Sequence, residues 1–288
     1  MGAVHPMLNS RLQIIFVLFA FVVGACFGSF ANVCIYRLPR RMSILHPPSH
    51  CAFCGTTLRW YDLIPILSIV LLLGKCRYCK YPIGYRHFFV ELLCALSFAV
   101  SFWRYGMTVH SLIVAMTLVG LIVAFFIDYD WYLIPDEVPM AIGVLGLIDA
   151  LIASLHQRLF SPMHGAGMHV TLSGAIMGML VGALALWLIR KLGTLIFRKE
   201  AMGLGDVKFT AAISLHLGLS WTLLGYFLIA IMVGAVVGIA ILLTMRGRTH
   251  HYIPFGPFLS IAASICLLFP EAVSHVMRSI YGLQPIYL

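Results

Sequence analysis

The chain alternates between long apolar blocks and short polar breaks, and the blocks have the length of helices that cross a lipid bilayer. A hydrocarbon core of about 30 Å takes about 20 apolar residues in an α-helix. On that measure the pattern predicts about eight spans, at 12–31, 88–103, 111–127, 138–155, 170–189, 207–219, 222–244 and 254–268. The block at 207–219 is short for a crossing, so it either reaches back to Gly203 or sits as a half-helix among its neighbours. The first block has no small-residue cleavage site and reads as a retained span, not a signal peptide. The predicted fold is an all-α polytopic integral membrane protein.

One segment interrupts this pattern. Residues 32–87 hold eight basic residues, five prolines and five of the eight cysteines, which marks a small polar insert between the first two spans. The expected organisation is therefore a first transmembrane helix (1–31), the insert (32–87) and a membrane-embedded domain (88–288). The loop at 157–169, with His164 and His169, reads as an irregular connection and not as a metal site.

Composition agrees with the pattern. Only 10% of residues are charged and mean hydropathy is +0.99, against about a quarter charged in soluble domains. The net charge of +9 would suit nucleic acid, but its distribution argues for topology instead. With eight spans, 15 of the 19 lysines and arginines fall on the side of the insert and 4 on the other, and basic loops stay in the cytoplasm. The insert is thereby expected in the cytoplasm, with the lipid bilayer as a partner and nucleic acid excluded.

Within the insert, Cys51 and Cys54 form one CxxC pair and Cys76 and Cys79 another, with 21 residues between them. Two such pairs suit a tetrahedral zinc, and four thiolate ligands would leave it no open position for chemistry. Gly55 and Gly74 fit tight turns beside the pairs. A redox pair is the alternative; structural disulfides are rare in a reducing cytoplasm. The stretch 63–74 is too short to be a span that separates the pairs, and Pro65 interrupts it.

The acidic residues are few and unevenly placed. Three of the six aspartates, Asp128, Asp130 and Asp136, lie within nine positions at the end of the third span, in IDYDWYLIPD. Asp206 opens the sixth block, in GLGDVK, on the same predicted face of the membrane. Two readings stand for Asp128 and Asp206. They are interfacial stop signals, or they form a pair that shares one proton, in which one carboxylate activates water and the other donates to a scissile carbonyl. Asp149 reads as a packed polar residue and Asp62 as a surface residue of the insert. A transporter or proton-coupled channel is the rival class, with Glu91 and His216 on a proton route; it lacks matched broken helices in two halves.

Six stretches in order resemble the bacterial type IV prepilin peptidases, a family of GxGD aspartyl proteases. They are GACFGSFANVCIYRLPR (24–40), the two cysteine pairs, YRHFFVELL, IDYDWYLIPD, GLGDVK and PFGPFL (254–259). The resemblance implies catalysis by Asp128 and Asp206 and metal ligation by Cys51, Cys54, Cys76 and Cys79. It implies a protein of the bacterial inner membrane whose partners are prepilins and pseudopilins. Their short basic leader is cut at the cytoplasmic face, before the hydrophobic segment. The new amino terminus, usually phenylalanine, is then methylated from S-adenosylmethionine. No glycine-rich fingerprint marks a cofactor site. The cofactor site is therefore left unassigned; the insert near Asn32, Arg37 and Glu91 is one candidate, with Asn32 otherwise a hydrogen-bonding residue at a helix end and Glu91 a partner for Arg86 or another buried base. Asp130 and Asp136 are expected to polarise the loop and, with Pro135, to begin the fourth helix.

Overall fold

Helices continue wherever apolar residues need their backbone groups satisfied, so the predicted spans lengthen once the chain is folded. The computed structural model describes residues 10–160, 170–198, 202–244 and 253–281. His164 and His169 lie outside the described residues. The helices are α1 (Ser10–Arg37), α2 (Leu67–Leu71), α3 (Tyr85–Tyr105), α4 (Val109–Trp131), α5 (Glu137–Phe160), α6 (Leu172–Phe197), α7 (Leu204–Leu217), α8 (Trp221–Thr244), α9 (Gly256–Leu268) and α10 (Pro270–Ile280). No strand occurs among the described residues, only isolated bridges at His50–Thr57 and Lys75–Pro82.

Six of these helices are long and apolar enough to cross a membrane: α1, α3, α4, α5, α6 and α8. The pair α9 and α10 makes a seventh if taken together, although it bends by 100° between Leu268 and Pro270. By length and composition, six or seven spans thus qualify among the described residues, against the eight expected. The difference lies at α7, whose 14 residues are about 21 Å of helix. It is buried on nearly every side, by Phe209, Thr210, Ile213, Ser214 and His216 among others, as befits a helix surrounded by protein.

The chain divides into two compact units, one running to Val123 and the other starting at Ala124. In the first, α1 and α3 pack along their lengths. Gly24 and Gly28 are the reason the backbones approach so closely. A Cβ at Gly28 would lie 2.5 Å from Glu91 Cα, and one at Gly24 would lie 2.7 Å from the Cys94 carbonyl oxygen. This is the small-xxx-small packing of membrane helices, in which dispersion over a close contact replaces the hydrophobic drive.

In the second unit α7 is the central post. His216 Nε2 lies 3.0 Å from the Ile142 carbonyl oxygen of α5, and Thr210 Oγ1 lies 3.1 Å from the Tyr226 hydroxyl of α8. Gly178 of α6 lets the turn after α7 come close, since a Cβ there would lie 2.5 Å from the Gly218 carbonyl carbon. The outer faces stay apolar: Leu180, Leu184 and Leu188 of α6 are exposed, as lipid-facing residues would be. α10 lays Val273, Ser274 and Met277 against the bundle.

Gly28→Val is expected to lower thermal stability in detergent by about 1–3 kcal/mol through overpacking against backbone. Gly238→Ala, where an added Cβ meets nothing within 4 Å, is expected to leave it unchanged or slightly raised. Scanning fluorimetry on the two variants checks both.

Candidate active site and metal centre

Asp128 and Asp206 reach one place from different elements. Asp128 lies in the last turn of α4, and Asp206 in the first turn of α7, behind the N-cap Gly203. Both are buried, at 5% and 9% exposure. They line a common cavity of about 210 Å³, with Gly203, Gly205, Pro254 and Phe255 in its wall. A buried carboxylate needs hydrogen-bond donors. The Gly256 N–H donates to Asp128 Oδ2 at 2.9 Å, and the Gly203 N–H serves Asp206. Position 256 has no room for a side chain, because a Cβ would lie 2.6 Å from that same Asp128 oxygen. Gly205 lets α7 approach Ile134, whose carbonyl oxygen would lie 3.3 Å from an added Cβ.

The other acidic residues of the cluster stand apart. Asp130 is exposed. Asp136 precedes α5 and accepts two hydrogen bonds from Lys208 Nζ, at 2.7 and 2.8 Å. That ion pair ties the start of α5 to the first turn of α7, two residues beyond Asp206, although exposed pairs contribute at most about 1 kcal/mol. Asp149 is half-buried in α5.

The four insert cysteines also come together. Their sulfurs all lie within 4.8 Å of one another, and Cys51 Sγ to Cys79 Sγ is 3.9 Å. A tetrahedral zinc with Zn–S bonds of about 2.3 Å separates its sulfurs by about 3.8 Å, so the cluster could hold that ion. Two matching turns build it: Gly55 N–H to the Cys51 carbonyl oxygen at 2.9 Å, and Lys80 N–H to that of Cys76 at 3.0 Å. Gly55 (φ +69°) and Lys80 (φ +59°) hold corresponding positions. Gly74, expected to serve the second pair, instead closes the segment after α2 through its N–H to the Ile69 carbonyl oxygen. The Phe53 and Tyr81 rings stack across the two halves at 4.2 Å.

The insert has little else to hold it. Between residues 41 and 84 only Ser68 and Cys76 are buried, and a segment without a core needs a crosslink or a metal. Charge points the same way. The hydroxyl and N–H of Thr56 bring the Cys54 thiol down to about 6. Cys79 is pushed up to about 12, since burial and the three neighbouring sulfurs outweigh its Tyr81 N–H. Such a cluster ionises fully only around a cation. Asp62, read from sequence as a surface residue, has a nearly covered side chain. It accepts from Arg77 Nε at 2.6 Å, the Tyr78 hydroxyl at 3.0 Å and the Arg59 N–H at 3.2 Å. Burial works against its charge, but these three donors prevail and hold it below the usual carboxylate range.

Comparison with known proteins settles the relationship. Residues 22–105 match the Bacterial Peptidase A24 N-terminal domain and residues 115–239 the Type IV leader peptidase family. A Pseudomonas putida protein named prepilin leader peptidase/N-methyltransferase is 32% identical over 281 residues, 90% of this chain and 92% of the relative. The chain belongs to the type IV leader peptidase family.

Proteins of the same name from Myxococcus xanthus (39% identical; 83% of this chain, 67% of the relative) and Pseudomonas aeruginosa (31%; 93% and 96%) extend the match. No solved structure matches. Within this leader peptidase relative, the cysteine cluster falls in the segment matched by the N-terminal domain and both buried aspartates in the segment matched by the peptidase family. Sequence reasoning placed the PFGPFL stretch only by resemblance and missed Gly256 as the donor to Asp128. The signal was there, a glycine between an aromatic residue and proline at a helix start, but its partner lies 128 residues away.

Asp62→Asn is expected to weaken metal retention on the order of 10-fold, as loss of a group that orients a metal site does. Competition with a chromogenic chelator reads it.

Proposed function

We propose that this protein removes the basic leader of type IV prepilins and pseudopilins and then methylates the new amino terminus. The observation that carries the peptidase half is the burial of Asp128 and Asp206 along one cavity, reached from two separate motifs. Two neighbouring carboxylates share one proton. The ionised member draws a proton from water as that water attacks the scissile carbonyl, and the protonated member donates to the developing oxyanion. The Gly256 N–H fixes one oxygen of Asp128 and leaves the other for water. The names of the relatives support the same activities; the transporter reading draws no support from them.

The four cysteines hold structural zinc in this reading, a role that suits a closed tetrahedral donor set. S-adenosylmethionine supplies an electrophilic methyl group when bound. The insert and the aspartates face the cytoplasm of a bacterium from its inner membrane, as the excess of basic residues on that side supports. The working division is a first span (1–31), the zinc insert (32–87) and the protease domain (88–288).

Purified protein, a prepilin and S-adenosylmethionine, read by intact mass, form the test. Wild type is expected to lose the leader and gain one methyl group. Asp128→Asn and Asp206→Asn are each expected to stop cleavage and still methylate a precleaved pilin. Cleavage by either variant would show that its aspartate is misassigned. Gly256→Ala, which crowds Asp128, is expected to slow cleavage on the order of 10²-fold, the scale of a roughly 1 Å misplacement. Metal analysis is expected to find one zinc per chain, absent from Cys76→Ser.

A further inference from the structure

The first unit holds a cavity of about 360 Å³ with walls from α1, α3 and the insert, within the size range of small-molecule sites. Its polar lining includes Ser29, Asn32, Arg37, His87 and Glu91. Two of these are already in use. The Arg37 guanidinium donates to the Ser43 and Pro47 carbonyl oxygens at 2.9 and 2.6 Å. The Asn32 amide donates to the carbonyl oxygens of Gly28 and His87 at 3.3 and 3.1 Å. Both side chains therefore shape the wall.

Glu91 differs. It is 6% exposed, and its Oε2 accepts the Ile66 N–H at 2.7 Å, with the Ser29 hydroxyl also beside it. The ion pair with Arg86 considered from sequence is not among its contacts, and Glu91 has no cationic partner among the described residues. Buried carboxylates are normally matched by a positive charge, and this one borders a cavity instead. His87, four residues earlier and so on the same face of α3, has a buried Nδ1 with no hydrogen-bond partner. The Glu91 carboxylate thus borders an open space with no cation to match it.

We propose that this cavity is the methyl-transfer site, and that Glu91 receives the substrate's new amino-terminal ammonium and takes its proton. The proposal rests on the bifunctional reading above and adds where the second reaction occurs and which residue serves it. The balance is simple. The ammonium passes one proton to the Glu91 carboxylate and becomes a neutral amine. The amine lone pair forms the N–CH₃ bond while the S–CH₃ bond breaks, and its electron pair stays on the sulfur of S-adenosylhomocysteine. The product is a secondary ammonium, and Glu91 returns its proton to water.

The test uses full-length protein in detergent. Ultraviolet crosslinking of radiolabelled S-adenosylmethionine to wild type is expected to label peptides around residues 29–37 or 83–91. Glu91→Gln is expected to bind S-adenosylhomocysteine within about 3-fold of wild type by calorimetry. It is expected to cleave prepilin normally and to methylate a precleaved pilin on the order of 10²-fold more slowly, the usual scale for loss of a general base. Methylation by Glu91→Gln at the wild-type rate would overturn the role of Glu91, and label confined to other segments would overturn the site. Should the variant misfold and lose cleavage as well, the wild-type crosslink still decides the location, and Glu91→Asp, methylating faster than Glu91→Gln, decides the role. A wild type that cleaves but neither binds the cofactor nor methylates would instead sink the bifunctional reading, a separate outcome.

Discussion

A carboxylate inside an apolar helix bundle must be given hydrogen-bond donors by the backbone, because side-chain donors and water are scarce there. Both buried aspartates meet this requirement at helix ends, where N–H groups are left without helical partners. Asp128 uses the Gly256 N–H at the start of α9, and Asp206 uses that of Gly203 ahead of α7. The glycines of both motifs follow from this. A side chain at 256 would collide with the carboxylate itself, and one at 205 would push α7 away from Ile134. The short, enclosed α7 is the price of presenting such a helix start inside the bundle.

The first unit solves the opposite problem. Its insert has almost nothing buried between residues 41 and 84, so hydrophobic burial contributes little to its shape. Four sulfurs, one stacked ring pair and the donors around Asp62 take over that task. The close approach of α1 and α3 at Gly24 and Gly28 supplies the firm base beneath them. It also sets Glu91 beside the residues of α1 that share its cavity.

Much of this was legible in the chain. Span positions followed from apolar length alone, and the cysteine pairs announced their own meeting. The count of spans did not follow, because α7 and α9 have only 14 and 13 residues and are packed among other helices. Their enclosure depends on which helices surround them, which local hydropathy does not encode. Asp62 was misplaced at the surface for a similar reason, since its three donors come from residues 59, 77 and 78, and the two more distant ones approach only when the cysteine halves close. Gly256 stayed hidden because its role is defined by a residue in another helix. Pairings of this kind are properties of the folded bundle, while lengths and spacings are properties of the string.

The bond between Gly256 and Asp128 also orders events in time. Asp128 is made early, and its donor arrives 128 residues later, at the start of α9. A growing chain that ends after α8 still lacks the loop that steadies this aspartate. The carboxylate pocket is therefore complete only once the start of α9 has been made, and before that the chain carries the cysteine insert and both aspartates in an unfinished pocket. A carboxylate pair whose support arrives after its own helices is finished only in the folded bundle.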